Sequence, residues 1–539
     1  MTGWNFADLW EAVADALPAA PAQMHAERRY SWGEMDARAD GVAKWLLELG
    51  VSEQDKVVQY LYNCPEYLES VFAAFKAGLV PVNTNYRYAD DELLYLWDNA
   101  DAVAVVFNGT FSERIAKLRD QLPKVKGWLW VDDGSGPCPE WATAYEDAAG
   151  SSTSRQRGPW GRSGDHILML YTGGTTGMPK GVMWRQDDLI MLMSRQFPQP
   201  LPEEPDYEAF RAARVAPGPV AMPACPLMHG TGSFTSIIAL SQGGSVVTLA
   251  GRTFDAVELL DAIERCRVNL IAIVGDAFAK PILRALDADP GRWDLSSLLA
   301  IMSSGVMWST ETKKGLLGHH AAMLLLDAFS SSEALGMGTS VSGGEAAAET
   351  AKFELGENAV VITEDGQFVK PGSEEIGLVA VGGRCPVGYY KDEEKSARTF
   401  RVIDGKRYSV PGDFAVVEAD GTIRLLGRGS VCINTGGEKV FPEEVEEALK
   451  THPYVRDAVV VGVPDEKWGE AITALVEPAP EDPPTEAALV AHVKERLAAY
   501  KAPKAVLFVD TIGRAPNGKV DYKGCRARAM ERLAASTRA

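Results

Sequence analysis

Residues 167–181 read ILMLYTGGTTGMPKG, an apolar run that gives way to glycines, hydroxyl side chains and one lysine. The run 167–171 fits a buried strand. Beyond it, Gly173, Gly174 and Gly177 leave backbone N–H groups uncovered, able to point into one concavity. Thr172, Thr175 and Thr176 add hydroxyl donors, and Lys180 adds a positive charge. A strand feeding such a loop reads as a phosphate cradle on an α/β scaffold; a flexible surface turn is the competing reading. A Walker A loop fits poorly. It needs Gly directly before the lysine and Ser or Thr after it, where this chain has Pro179 and Gly181.

Outward from this loop the chain alternates helical and strand patterns. Residues 35–49 carry apolar side chains at helical spacing, with Gly50 as a stop. Residues 57–61 read as a strand, 67–77 as a helix ending near Gly78, and 102–107 as another strand. This rhythm predicts a mostly parallel sheet with helices on its faces. A polar passage at 149–164 precedes the cradle, and a Pro- and Glu-rich stretch at 197–218 reads as a long surface excursion. The rhythm then resumes with a strand at 245–249, a helix at 254–265 and a strand at 270–274. Short strands and turns dominate 355–427, including 377–381 and 422–426, and predict a small β-rich subdomain. A boundary at 427–430 precedes a helix at 443–450, a strand at 458–463, a Pro-rich turn at 478–484 and a helix at 486–499. The basic tail after Tyr522 reads as frayed. The expected fold is therefore α/β, with a large N-terminal domain over 1–427 and a smaller α+β domain over 428–539.

A chain of 539 residues is too long for one core. Its 46% hydrophobic and 24% charged residues are ordinary for a globular protein. Lys and Arg number 54 against 74 Asp and Glu, a formal charge of −20 that disfavours nucleic acid or an anionic membrane as partner. A local basic pocket for a nucleotide is compatible with that sign. The seven cysteines are scattered without metal-site spacing, as expected of reduced thiols in a cytoplasmic protein. The acidic, amphipathic N-terminus is not a signal peptide, and no stretch reaches the ~18 apolar residues of a spanning helix.

Further motifs stand in order: KAGLVPVNTNYRY at 76–88, PLMHGTG at 226–232, DAFSSSE at 327–333, PGD at 411–413, GGEKVFP at 436–442 and PNGKVD at 516–521. With the cradle, this set resembles the adenylate-forming superfamily over nearly the whole chain, and within it the acyl-CoA synthetases. The resemblance implies ATP, CoA and Mg2+ as cofactors. The implied reaction joins a carboxylic acid to CoA through an acyl-adenylate, releasing pyrophosphate and AMP. Such chemistry needs a phosphate cradle, a carboxylate beside the metal and cations on the developing charge.

The roles that follow belong to the resemblance. Residues 172–177 and Lys180 grip the departing phosphates. Glu333 lies near Mg2+ with Ser332 beside it; the alternative is a helix-start carboxylate closing a capping box from Ser330. Phe329 stacks on adenine, Asp327 meets its edge, and Ser330 stands where the family usually has Gly. Asp413 accepts both ribose hydroxyls, or else makes an Asx-type turn. Arg428 contacts the nucleotide, or makes a surface salt bridge. Lys519 reaches the acid carboxylate and the α-phosphate, where a typical loop lysine is only solvated. His229 gates the acyl group and thiol tunnel, with a satisfied core histidine as competitor. Gly436, Gly437 and Lys439 line the CoA channel. Ser430 is the hinge of a mobile C-terminal lid, at a position usually Asp or Lys.

The acyl pocket is expected from His229, Ser233, Phe234, Gly275, Ser304 and Gly305, with Asp276, Ser303 and Met307 nearby. No Arg or Lys lies among them, which favours a largely apolar medium- or long-chain acid. The WRQDDL and SSGVMWS segments at 184–189 and 303–309 also look like those of fatty-acid and sterol side-chain synthetases. A short or branched acid, or loading of a carrier protein, are the alternatives. The expected partners are small molecules, with no nucleic acid and no integral membrane segment, and a homodimer is compatible with the reading.

Overall fold

The computed structural model describes residues 3–174, 177–306, 308–344, 347–435, 438–465, 468–479, 483–515 and 519–536. Two compact units emerge, one drawn from 1–174, 178–350 and 381–409, the other from 351–380 and 410–539.

Local signals set the helices of the first unit. Ser31 and Glu34 form a capping box that starts helix Trp32–Glu48. Pro65 opens helix Pro65–Ala77, and Gly78 closes it at φ +71°, where a Cβ would run into the Trp160 indole. Strand Lys56–Tyr60 pairs in parallel with Val80–Asn83 on one side and Ala102–Asn108 on the other. Val82 pairs with Met169, so the cradle strand Ile167–Gly174 lies beside Val80–Asn83.

A second sheet carries the rest of this unit. Ser245–Thr248, Val220–Pro223, Leu270–Ile273, Ala300–Ser304 and Leu324–Phe329 run parallel, and Gly338–Gly343 closes antiparallel on the last. The α/β expectation holds.

The polar passage at 149–164 is anchored by charge. Its Arg162, almost wholly buried, pairs with Asp8 at 2.6 Å and Glu11 at 2.8 Å. Lys76, with no exposed surface, pairs with Glu11 and Asp36 at 2.7 Å and Asp40 at 2.9 Å.

Two sequence expectations need correction. The stretch 197–218 is not a plain excursion, because it contains helix Tyr207–Ala212, whose Phe210 is buried. Tyr207 stacks edge-on to Trp4 at 4.8 Å, and its hydroxyl accepts from the Asn5 amide. Nor is the tail frayed. Helix Tyr522–Ser536 buries Cys525 and Ala529 with Val459, Val461 and Leu475, while Tyr522 donates to Glu446 at 3.0 Å. Its outward arginines hide a helical stripe at 522, 525, 529 and 533.

In the second unit, residues 351–380 and 410–428 contribute the short antiparallel strands expected there, among them Asp413–Val417 paired with Ile423–Arg428. Beyond them, Val455–Asp465 and Gly469–Pro478 form a long hairpin joined in parallel by Ala505–Phe508. Helices Pro442–Lys450 and Glu486–Lys494 pack on it. Among the described residues no helix is long and apolar enough to cross a membrane.

Candidate functional site

The cradle comprises the ends of strands Ile167–Gly174 and Gly177–Arg185; Thr175 and Thr176 lie outside the described residues. Asn83 braces it from the neighbouring strand. Its side chain accepts from the Tyr171 amide at 2.6 Å and donates to the Tyr171 carbonyl at 2.9 Å. The same amide nitrogen donates to the Met228 carbonyl at 2.6 Å, so one side chain holds both the cradle strand and the PLMHGTG turn. Asn63 pins that turn again, accepting from Leu227 at 2.7 Å and donating to the Cys225 carbonyl at 3.1 Å. A Cβ at Gly232 would sit 2.6 Å from the Pro226 carbonyl oxygen, so the turn requires glycine there. His229 is half-buried at the N-cap of helix Gly230–Ser241 and makes no side-chain cap bond.

Lys180 lies on strand Gly177–Arg185. Its ammonium pairs with the Asp392 carboxylate and sits 5.8 Å from the centre of the Tyr389 ring. That lysine holds the Asp392 carboxyl below the usual carboxylate range. The short strand Gly388–Tyr389 pairs antiparallel with Val182 and Met183, which brings residues 387–392 alongside the cradle.

The DAFSSSE segment meets the same neighbours. Glu333 is not at a helix start: residues 331–334 close a turn, and Ser330 Oγ accepts from the Gly336 amide, so no capping box forms. The Tyr389 hydroxyl donates to Glu333 Oε1 at 2.9 Å, and Ser409 Oγ donates to the Glu333 carbonyl at 2.7 Å. Trp184 Nε1 donates to the Ser332 carbonyl at 2.9 Å. Phe329 is buried at the end of its strand, and the Asp327 carboxylate pairs with buried Lys313 at 3.3 Å.

Gly275 and Gly305 stand just beyond adjacent strands paired at Ile273 and Ser303, with φ of +55° and +93°. The Gly275 amide donates to Ser303 Oγ at 2.9 Å. Among the described residues, nothing crowds a Cβ at Gly305 closer than Val274 Cγ1 at 3.8 Å. Ser304 and Phe234 are buried, Ser233 is half-buried, and Met307 lies outside the described residues. Lys280, the nearest cation in sequence, pairs with Asp276 at 3.3 Å.

In the second unit, Asp413 is buried at the start of its strand, opposite Arg428, whose Nε donates to Asp413 Oδ1 at 3.2 Å. Gly412, at φ +103°, accepts from the Gly429 amide at 3.1 Å, and Ser430 follows in a short 3-10 turn. Gly436 and Gly437 lie outside the described residues; Lys439 pairs through its backbone with Asn434. Lys519 is exposed, and its carbonyl accepts from the Ala515 amide at 2.9 Å.

Glu443, at the start of helix Pro442–Lys450, packs against Gly427, where a Cβ would collide with its carboxylate. Burial, then repulsion from Glu446, pushes the Glu443 carboxyl up to about 8. Stability from its neutral form is complete below its ordinary value and is lost as pH rises through about 8. Glu443→Gln should therefore stabilise the second unit by roughly 1–3 kcal/mol at pH 9, with no gain near pH 4.5. Urea melts at the two pH values check this; an equal effect at both would refute it.

Sequence comparisons place the chain among known proteins. The model of the AMP-binding enzyme family matches residues 10–390, and that of the AMP-binding enzyme C-terminal domain matches 444–519. A Mycolicibacterium smegmatis protein named medium/long-chain-fatty-acid–CoA/3-oxocholest-4-en-26-oate–CoA ligase is 41% identical, covering 98% of this chain and 97% of its own. A 3-oxocholest-4-en-26-oate–CoA ligase of Rhodococcus rhodochrous is 39% identical over 96% and 95%. Among solved structures, ATP-bound MatB from Rhodopseudomonas palustris superposes with a TM-score of 0.79 at 25% identity, covering 97% and 99%. The anthranilate CoA ligase AuaEII with anthranoyl-AMP reaches 0.83 at 22% identity over 98% of each chain, a likeness of fold.

Proposed function

Because this chain belongs to the AMP-binding enzyme family and is an AMP-forming acid–thiol ligase, we propose that it activates medium- or long-chain fatty acids or a sterol side-chain acid. The supporting observation is Gly305, where a Cβ would meet nothing closer than Val274 Cγ1 at 3.8 Å among the described residues, beside Gly275 on the adjacent strand end. Lys280, the nearest cation in sequence, is already neutralised by Asp276, so a second carboxylate on the acid would find no free partner there.

Acyl-CoA ligases use ATP and CoA, and the residues here divide that work. The cradle holds the β- and γ-phosphates, with Lys180 exchanging Asp392 for phosphate oxygens. Phe329, Asp413 and Arg428 take the adenosine. The residues suit Mg2+ as the metal: Glu333 offers one hard carboxylate, and its Oε2 takes no hydrogen bond among the described residues. When bound with the nucleotide, Mg2+ neutralises charge on the leaving pyrophosphate.

Lys519 orients a carboxylate oxygen toward the α-phosphorus; that bond forms as the bond to pyrophosphate breaks. The CoA sulfur then attacks the acyl carbon, and AMP leaves with the electron pair. His229 gates this step, and the loop carrying Gly436, Gly437 and Lys439 lines the thiol channel. The lid 428–539 hinges at Ser430 between the two half-reactions. This reading puts the enzyme in the cytoplasm, and a homodimer is compatible with it.

An acid panel with CoA, scored by AMP release, tests the substrate class. Long-chain and sterol side-chain acids should exceed malonate and benzoate in kcat/KM by at least roughly tenfold. Preference for malonate or benzoate would overturn it, as would activity confined to a carrier protein in place of CoA.

A further inference from the structure

Tyr389 stands where the cation of the cradle and the carboxylate of the DAFSSSE turn come together. It is 7% exposed, its ring 5.6 Å from that of Phe400 and 5.8 Å from the Lys180 ammonium. Pairing with Val182 fixes its backbone to the strand that bears Lys180, and its hydroxyl donates to Glu333 Oε1. Three residues on, Asp392 holds Lys180 itself. One short segment thus reaches both groups.

The Glu333 backbone does not need this hydroxyl. Ser409 Oγ and Trp184 Nε1 already hold the carbonyls of Glu333 and Ser332, and the 331–334 turn closes on itself. What the phenol adds is restraint on the side chain. A glutamate free to sample its rotamers loses side-chain entropy when a ligand freezes it. A hydrogen bond on Oε1 meets that cost in advance and leaves Oε2 at a set orientation. Groups that orient a metal ligand in this way commonly change metal affinity about 10–100-fold when removed.

We propose that Tyr389 is a positioning residue that fixes the Glu333 carboxylate to receive the metal-loaded nucleotide, in register with Lys180. The proposal rests on the reading of Glu333 as the carboxylate beside Mg2+. The ring sets the distance between the two groups, and the hydroxyl sets the orientation of one of them.

Calorimetric titration of the full chain with a non-hydrolysable ATP analogue, with Mg2+ and in EDTA, separates these roles. Tyr389→Phe keeps the ring contacts and deletes one oxygen. It should bind the Mg2+-loaded analogue about 5–20-fold more weakly, with metal-free binding within about twofold and the melting temperature unchanged. Glu333→Gln should lose the preference for the metal-loaded form, and adding Tyr389→Phe to it should cost no more than about twofold. Equal weakening of both forms by Tyr389→Phe, or none, overturns the proposal while Glu333 keeps its role. A Glu333→Gln protein that still prefers the Mg2+-loaded analogue overturns the reading beneath it. Full additivity in the double variant also refutes the positioning role, even if Tyr389→Phe alone alters folding.

Discussion

Replacing Lys519 with alanine should lower acyl-adenylate formation by at least about 100-fold while leaving thioester formation from supplied acyl-AMP within about threefold of the unaltered enzyme. In the first half-reaction a carboxylate approaches a polyphosphate, and negative charge accumulates at the α-phosphorus. A cation placed there acts on the transition state more than on the separate substrates, so its loss falls on kcat. In the second half-reaction the attacking group is a thiol and the leaving group is AMP, and the same cation has far less to stabilise. Lys519 is an exposed side chain whose backbone is tied to Ala515, so the substitution removes little packing. Pyrophosphate exchange measures the first half and CoA thioester release from acyl-AMP the second. Equal losses in both would remove Lys519 from its assigned role.

Lys76→Met should destabilise the first unit by about 3–5 kcal/mol, the cost of leaving buried charges without their partner. Lys76 has no exposed surface and meets three carboxylates, Glu11, Asp36 and Asp40, within 2.9 Å. Burial alone would raise the Glu11 carboxyl; Arg162 and Lys76 together outweigh it and bring the group down to about 2. A carboxylate so depressed contributes stability that is present above its ordinary value of 4.5 and lost as pH falls toward about 2. The unaltered protein should therefore weaken across that window. The variant, already lacking one of the cations that hold Glu11 ionised, should weaken less steeply. Urea unfolding at about pH 7 and about pH 3 measures both effects, and a change below about 1 kcal/mol at neutral pH would show that Arg162 and Arg155 suffice to hold the cluster.

Features that depend on near neighbours in sequence were legible. The helical spacing over 35–49, the stop at Gly78 and the cradle strand all follow from local spacing. The ordered motifs led to the family and reaction class for the same reason, since each is a short contiguous run. Less visible were contacts between residues far apart in the chain. Asn83 lies inside a quoted segment, yet its bridge to Tyr171 and Met228 exists only after two strands and a turn converge. Tyr389 and Asp392 reach Glu333 and Lys180 across more than fifty and two hundred residues. Lys313, one of two adjacent lysines in helix Thr310–His319, carries no local sign of its burial against Asp327. The docked tail is hard to read from sequence because four basic side chains are interleaved with the apolar stripe of Tyr522–Ser536, most of whose apolar residues are small.

Asn83 also bears on how such an enzyme can diverge. The cradle strand and the turn that bears His229 hang from one amide, so a substitution that shifts one displaces the other. Gly275 and Gly305 hang from a different sheet and share no hydrogen bond with Asn83. Their φ of +55° and +93° favour glycine, so it is the side chains facing them that can change size while the phosphate grip stays untouched. Inheritance of one nucleotide chemistry with a changing diet of acids is then a matter of which loops are tethered to Asn83 and which are not.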